Sequence, residues 1–462
     1  MSVATSTTGE QEGISGSGIP DKASLKAGDV HRALEPHVLV DGYGFVLDLS
    51  ESSGSWLVDG VTGNRYLDLF SFFASSPLGM NPSCVTDDEA FMRQLAAAAV
   101  NKPSNPDLYT IPYAEFVRTF ARVLGDPALP HLFFVDGGAL AVENALKAAF
   151  DWKAQKLGLD DDAVNGLQVL HLERSFHGRS GYTMSLTNTE VSKTTRYPKF
   201  SWPRIPSPAL RHPLAEHARS NEEAEQEALR AAEEAFVAAD GMIACFIAEP
   251  IQGEGGDNHL SAGFLQSMER LCRRYDALFV LDEVQSGCGI TGTAWTYQQL
   301  GLTPDLVAFG KKTQVCGVMG GGRIDEVADN VFAVSSRISS TWGGNLADMV
   351  RATRILETIE RTRLFESVGR LGTYLGDGLE AIAVKHSDVV TNARGRGLMR
   401  AVDLPDTRAR DEVLRRMYQD HQVIALPCGD RSLRFRPPLT ITESEIDQAL
   451  EALALSVAEP LA

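Results

Sequence analysis

Short, almost wholly apolar runs alternate with longer helix-prone ones through the middle of the chain. His131 to Val135, Gln168 to Leu172, Met242 to Ala248, Leu278 to Asp282 and Leu306 to Phe309 are apolar at nearly every position, as strands are when helices cover both faces of a parallel sheet. Leu140 to Lys156 and Ser220 to Ala239 are too long and too rich in helix formers to be strands, and predict helices. The alternation predicts an α/β architecture around a mostly parallel sheet. Upstream, Gly44 to Leu49 and Arg65 to Phe70 are short apolar runs separated by glycine-containing turns and predict hairpins. Downstream, the pattern predicts a helix over Leu346 to Glu360, strands over Arg394 to Leu404 and Ser432 to Phe435, and a closing helix over Ile441 to Val457. That mixture is expected of a smaller α+β domain.

These patterns divide the 462 residues into four stretches. Residues 1–30 are rich in Ser, Thr and Gly and carry too few large apolar groups to offset the entropy of ordering them, which predicts a loose tail. Residues 31–101 form an N-terminal segment expected to join the small domain, 102–345 the large domain, and 346–462 the C-terminal part of the small one. With 43 Lys and Arg against 61 Asp and Glu, the net charge of -18 opposes general attraction to nucleic acid or anionic lipid. No apolar run is long enough to span a membrane and the polar N-terminus has no signal-peptide core, so a cytoplasmic protein is expected. The six cysteines show no metal-binding spacing; reduced thiols and no metal are expected.

Three strand ends carry candidate chemistry. Phe133-Phe134-Val135-Asp136-Gly137-Gly138-Ala139 runs from an apolar strand through two glycines into a helix, a turn whose amides can face a phosphate or which uses glycine only for its backbone freedom. Asp282 closes Leu278-Phe279-Val280-Leu281, at the edge where ligands bind in open α/β sheets; as a strand-end acid it can equally be a turn former. Leu306-Val307-Ala308-Phe309-Gly310-Lys311-Lys312 ends an apolar strand in lysine, and a desolvated lysine can form an imine with a carbonyl. Lys311 is the candidate. Lys312 points to the other side if the strand continues, as a solvated or structural charge.

Taken in order, the glycine pair, Ser175-Phe176-His177-Gly178-Arg179, Ala248-Glu249-Pro250-Ile251-Gln252-Gly253-Glu254, Asp282-Glu283-Val284-Gln285 and Lys311 resemble the motifs of class III (ω-) aminotransferases over about Tyr66 to Pro438. Within that family the chain is most similar to the L-lysine 6-aminotransferases of actinobacteria, through Gly137 to Lys147, Ser175 to Tyr182, Lys311 to Val318 and Ser340 to Asn345. The resemblance implies a fold-type I transferase dependent on pyridoxal 5′-phosphate (PLP), with a seven-stranded, mostly parallel sheet in the large domain and a smaller α+β domain. It implies that Lys311 holds PLP as a Schiff base and carries protons, and that Gly138 and Ala139 give N–H groups to the phosphate. Phe176 is implied to stack on the ring, Val284 to pack on the opposite face, Asp282 to pair with the ring nitrogen, and Gln285 to bond the phenolic oxygen or the substrate. Thr341 is implied to reach the phosphate of the neighbouring subunit in a homodimer with shared sites. Arg434 and Arg179 are the implied carboxylate grips, with Glu254 pairing with Arg434 while a basic substrate is bound.

The implied reaction moves the ε-amino group of L-lysine to 2-oxoglutarate. Glutamate and 2-amino-6-oxohexanoate result, and the aldehyde cyclises to a piperideine carboxylate. Transamination of ornithine, 4-aminobutyrate or a diamine, an aminomutase reaction, and a ligand-binding module without activity are the alternatives. Phe73 departs from the resembling lysine enzymes, which can carry a smaller aliphatic residue there, and implies a reshaped substrate channel.

Overall fold

The computed structural model describes residues 25–460, so most of the expected tail, residues 1–24, lies outside them. Among the described residues sixteen strands occur in chain order. They are β1 (Trp56–Val58), β2 (Arg65–Asp68), β3 (His131–Val135), β4 (Gln168–Leu172), β5 (Arg204–Ile205), β6 (Ile243–Ala248), β7 (Ile251–Gln252), β8 (Asn258–His259) and β9 (Leu278–Asp282). There follow β10 (Leu306–Phe309), β11 (Cys316–Gly320), β12 (Thr391–Arg396), β13 (Met399–Asp403), β14 (Val423–Ile424), β15 (Leu426–Cys428) and β16 (Ser432–Phe435).

A seven-stranded sheet in the order β3-β11-β10-β9-β6-β4-β5 forms the centre. The pairs β10–β9, β9–β6, β6–β4 and β4–β5 are parallel, and β11 runs antiparallel to both β10 and β3. Every strand except β11 therefore ends on the same edge. Alternation along each strand splits the core in two: Phe279 and Leu281 belong to one buried cluster, Leu278 and Val280 to the other. The helix Gly138–Leu157 covers the second face with Ala141, Val142, Ala145, Leu146, Ala149 and Trp152. Its small residues let the helix lie close to the strands.

The antiparallel β11 has no signature in the hydrophobic pattern. A Cβ at Gly317 would meet the Phe133 carbonyl oxygen and stand 2.7 Å from the Phe309 ring, so the close approach of β3 and β10 requires glycine. Two other expectations are corrected. Arg394 to Leu404 is not one strand: β12 and β13 form an antiparallel hairpin that turns at Gly397 (φ 52). Gly44 to Leu49 contributes only the single bridge Leu47 to Asp59, and the real partner of β2 is β1. Val423 and Ile424 of β14 then pair in parallel with Leu67 and Asp68 of β2, which ties the N-terminal segment to the C-terminal one. The hairpin also joins β16 and β15 in a four-stranded sheet. All six cysteines are unpaired.

Trp152 tests the packing of the covering helix. It is fully buried, its Nε1–H donates to the Arg323 carbonyl at 2.7 Å, and the Arg323 guanidinium lies 4.8 Å from its ring centre. Trp152→Ala should cost about 3–5 kcal/mol and Trp152→Phe about 1–3 kcal/mol, the scale of one carbonyl left unpartnered. Thermal unfolding of both variants checks the order; an unchanged Tm for Trp152→Ala would mean the helix is not held there.

Candidate active site

Six of the seven strands end at the carboxyl edge of the sheet, where side chains from successive loops can converge. After β3 the chain turns through Gly137 (φ 104) into the helix Gly138–Leu157, whose N-terminus no side chain caps. Its first amides therefore lack intrahelical partners and carry the positive end of the helix dipole. The turn is tightly enclosed: a Cβ at Gly138 would stand 2.9 Å from Val284 Cγ1, and one at Gly178 (φ 120) 2.5 Å from Ala139 Cβ. Gly138 thus packs against Val284 and Gly178 against Ala139, and neither glycine has room for a side chain.

Asp282 ends β9, nearly buried, with Oδ1 accepting the Val284 N–H at 3.0 Å and Oδ2 2.8 Å from His177 Nδ1. A carboxylate only accepts, so Nδ1 is the donor. His177 is itself buried and its backbone N–H donates to Thr187 Oγ1 at 3.0 Å. Next to it, the Phe176 N–H donates to Glu249 Oε1 at 2.9 Å, while Glu249 Oε2 accepts the Gly253 N–H at 3.1 Å. Glu249, just past the end of β6, thereby fastens the Phe176 loop to the turn that bears Glu254. Burial pushes its carboxyl up to about 7 against the opposing pull of His177.

The lysine pair breaks the expectation of a continuing strand. β10 ends at Phe309, and Lys311–Thr313 is a short 3-10 turn in which Lys311 adopts φ 55, a left-handed backbone that costs a non-glycine residue about 1–2 kcal/mol. Burial, with Arg434 beside it, lowers the Lys311 amine to about 8, although Glu254 and Asp282 pull the other way. Lys312 is not a solvated charge. It is 2% exposed, its Nζ donates to the carbonyls of Gln285 at 2.7 Å and Ala74 at 3.1 Å, and burial lowers it to about 7. It fastens Ala74 and Gln285 to the turn that carries Lys311.

Arg434 and Arg436 stand two residues apart along an extended segment and so share a face. Both are buried. Gln285 Oε1 accepts from Arg434 Nη1 at 3.3 Å and from Arg436 Nε and Nη2 at 3.1 Å each. Arg436 is paired with the buried Asp257, and Arg434 Nη2 meets Glu254 Oε1 at 2.6 Å. Burial alone would raise the Glu254 carboxyl; Arg434, Lys193 and Lys311 overcome it and bring it to about 2. Lys193, in the short helix Val191–Thr194, reaches Glu254 Oε2 at 3.4 Å and lies 5.4 Å from the centre of the Phe176 ring.

Lys311, Asp282, Gln285, Glu254 and Arg434 are thus gathered by direct contacts or through shared charges, with Phe176, Gly138, Ala139 and Val284 around them. Three expected residues stand apart. Arg179 is exposed and makes no ion pair among the described residues. Thr341 is exposed beside the turn closed by Gly343 N–H donating to Ser340 Oγ. Phe73 is half-exposed, its ring edge-on to Phe70 at 4.9 Å, within four consecutive left-handed residues, Ser71 (φ 39), Phe72 (53), Phe73 (58) and Ala74 (65). Sequence reasoning gave no role to Arg436, Asp257, His177, Glu249 or Lys193. The two-residue spacing of Arg434 and Arg436 is the one signal that could have exposed the second arginine.

The donor set fits PLP. A nearly buried carboxylate at the end of β9 suits a ring nitrogen, an amine lowered toward neutrality suits a carbonyl carbon, and an uncapped helix N-terminus behind a glycine pair suits a phosphate. Phe176, half-buried beside them, can face a ring.

Residues 40–457 match the family model Aminotransferase class-III. The chain is 80% identical over 436 residues to an L-lysine-epsilon aminotransferase of Amycolatopsis lactamdurans, covering 94% of this chain and 97% of the relative. It is 78% identical over 437 residues to one of Streptomyces clavuligerus, covering 95% and 96%. The solved structure of a lysine aminotransferase from M. tuberculosis in its internal aldimine form superimposes with a TM-score of 0.90 at 58% identity, covering 94% of this chain and 99% of that one.

The two lysines should separate in experiment. Lys311→Ala should abolish turnover with an unchanged circular dichroism spectrum, whereas Lys312→Ala should lower both Tm and kcat/KM, because each buried carbonyl left unpartnered costs about 1–3 kcal/mol. A Lys312→Ala protein with wild-type Tm and turnover would return Lys312 to an incidental charge. Asp282→Asn should retain cofactor but lose activity by about a hundredfold or more, on the scale of proton-transfer effects, because an amide cannot favour a positive ring nitrogen. Steady-state assays with an absorption spectrum check it; near wild-type turnover would reject Asp282 as that partner.

Proposed function

The chain belongs to the class-III aminotransferases and uses pyridoxal 5′-phosphate, and we propose that it transfers the ε-amino group of L-lysine to 2-oxoglutarate, releasing L-glutamate and 2-amino-6-oxohexanoate. The pair between Glu254 Oε1 and Arg434 Nη2, 2.6 Å apart and close enough to Lys311 to perturb its amine, carries this reading. A dicarboxylate donor needs a free arginine on each carboxylate, whereas a substrate that ends in a second ammonium group is better served where that arginine is already neutralised. The high identity to lysine enzymes over nearly the whole chain supports the same substrate.

Bound here, the cofactor supplies an electrophilic carbon for the amino group and a ring that accepts the electrons released when a C–H proton leaves. The chain's residues do the rest. Lys311 Nζ, with an amine lowered to about 8, is suited to take the proton from the lysine Cε and return it one position away, because an acid–base group works best near the operating pH. Asp282, oriented by His177, would hold positive charge at the ring nitrogen, and Gly138 and Ala139 would give their N–H groups to the phosphate. Phe176 and Val284 would hold the ring between them and keep water from it. Gln285, held by Arg434 and Arg436, faces the phenolic oxygen or the substrate. Arg179 grips the α-carboxylate of lysine; with 2-oxoglutarate, Arg434 is released by Glu254 and takes the second carboxylate.

Exposed in the single chain, Thr341 acts in this reading across a two-fold interface, so that Thr341 of the partner subunit completes each phosphate site in a homodimer. We assign residues 102–345 to the large domain, and 31–101 with 346–462 to the small one. No helix among the described residues is long and apolar enough to cross a membrane, and the proposed setting is the cytoplasm.

Incubating the PLP-loaded protein with 2-oxoglutarate and, in turn, lysine, ornithine, 4-aminobutyrate and cadaverine, then measuring glutamate, tests the assignment. Lysine should lead; a higher kcat/KM with any of the others would overturn it. Glu254→Ala should divide the half-reactions. Lysine should lose roughly ten- to a hundredfold, the scale of an uncompensated like-charge contact of about 1–3 kcal/mol at an effective dielectric near 20, while glutamate is retained or improved. Single-turnover loss of the PLP absorbance with each donor reads this directly, and equal losses would make Glu254 a loop acid only.

A further inference from the structure

Glu254 touches a second cation that the reading above leaves without a task. Its side chain lies between two positive groups, with Oε1 on Arg434 Nη2 at 2.6 Å and Oε2 facing Lys193 Nζ at 3.4 Å. The main chain around it is fixed. The Glu254 carbonyl accepts the Gly429 N–H at 3.0 Å, the Gly253 N–H is held by Glu249 at 3.1 Å, and a Cβ at Gly255 would collide with the Arg174 carbonyl oxygen. Any change of partner is therefore a side-chain rotation. A carboxylate rotated away from Arg434 into a site where only 19% of its side chain is exposed would be left costly and unpaired without another cation.

We infer that Lys193 is the alternative partner of Glu254, receiving its carboxylate when the second carboxylate of 2-oxoglutarate or glutamate occupies Arg434. The inference rests on the dual-substrate reading given above. Lys193 suits the task because it is tethered but not saturated. Its Nζ is also 2.9 Å from Glu190 Oε1, which holds it near Glu254, and its contact with Glu254 is longer than that of Arg434 and can shorten. Its ammonium lies 5.4 Å from the centre of the Phe176 ring, so the cation that follows Glu254 also borders the side chain expected to stack on the cofactor. Lys193 is a positioning residue, acting on substrate choice through Glu254.

The test uses PLP-loaded holoenzyme carrying Lys193→Met, which keeps a stem of similar length and removes the charge, together with Lys193→Arg, Glu254→Ala and the double variant. Without Lys193, Glu254 stays on Arg434. Glutamate single turnover in Lys193→Met should need up to about fivefold higher donor concentration relative to lysine, the upper range for one partly exposed ion pair. Lys193→Arg should restore the ratio. The shift is opposite in sign to that of Glu254→Ala, and the double variant should match Glu254→Ala alone, because a residue acting through Glu254 has no effect in its absence. A non-reacting dicarboxylate, glutarate, gives a readout independent of turnover: its Kd by calorimetry should rise in Lys193→Met and not in the double variant relative to Glu254→Ala. A loss with both donors alike would show Lys193 to be structural. A loss persisting in the Glu254→Ala background would show that it grips substrate itself. Either result overturns the inference while Glu254→Ala still divides the half-reactions; if Glu254→Ala divides nothing, the dual-substrate reading fails with it.

Discussion

Two guanidinium groups buried side by side impose the constraint around which the rest of the site is arranged. Arg434 and Arg436 project from one face of the segment that includes β16, in the same low-dielectric space as Lys311 and Lys312. Like charges so close, taken out of water, are tolerated only if acceptors reach each of them. Asp257 pairs with Arg436, Glu254 with Arg434, and Gln285 offers one oxygen to both. Gly253 in the Glu254 turn follows from this, since a Cβ there would collide with the Gln285 side chain. The buried carboxylates thus serve the arginines first, and their proposed part in substrate choice derives from that service.

The same crowding accounts for the two lysines. A neutral Lys311 amine is favoured by desolvation and by Arg434, and the nearby carboxylates limit the shift, leaving it close to neutrality. Lys312, one residue on, has no carboxylate in direct contact among the described residues and relies on the carbonyls of Ala74 and Gln285. Adjacent residues of one type therefore occupy opposite situations, one turned toward chemistry and the other closing the core behind it.

How much of this could be read beforehand depended on whether neighbours in sequence or neighbours in space fixed the residue. The strands at β3, β4, β6, β9 and β10 were legible because burial on both faces leaves a continuous apolar run, and Asp282 and Lys311 because they interrupt such runs at their ends. The strand β11 was hidden by glycines that its close neighbours demand, and the β12–β13 hairpin by a turn inside what resembles one strand. Lys312 proves to be the structural rather than the solvated of the two charges expected there, and strand periodicity could not separate them because the chain coils past Phe309. Nothing local marks Lys193: it sits in a polar four-residue helix, and its importance comes from a glutamate sixty-one positions away.

The left-handed turn Ser71–Ala74 has a consequence for redesign. Each of its residues occupies a backbone region that costs an L side chain about 1–2 kcal/mol. The turn persists because Asp68 Oδ1 accepts the N–H groups of Phe70 and Ser71, the Ser71 hydroxyl donates to the Arg436 carbonyl, and Lys312 holds Ala74. Exchanging Phe73 for a smaller side chain is therefore not a simple enlargement of space. Valine or isoleucine would add steric conflict at a positive φ, whereas glycine or asparagine would relieve it and let the turn relax. Selection acting on this segment is filtered by backbone shape before side-chain volume, so variants that differ there are expected to favour glycine and asparagine over the β-branched aliphatics of comparable or greater bulk.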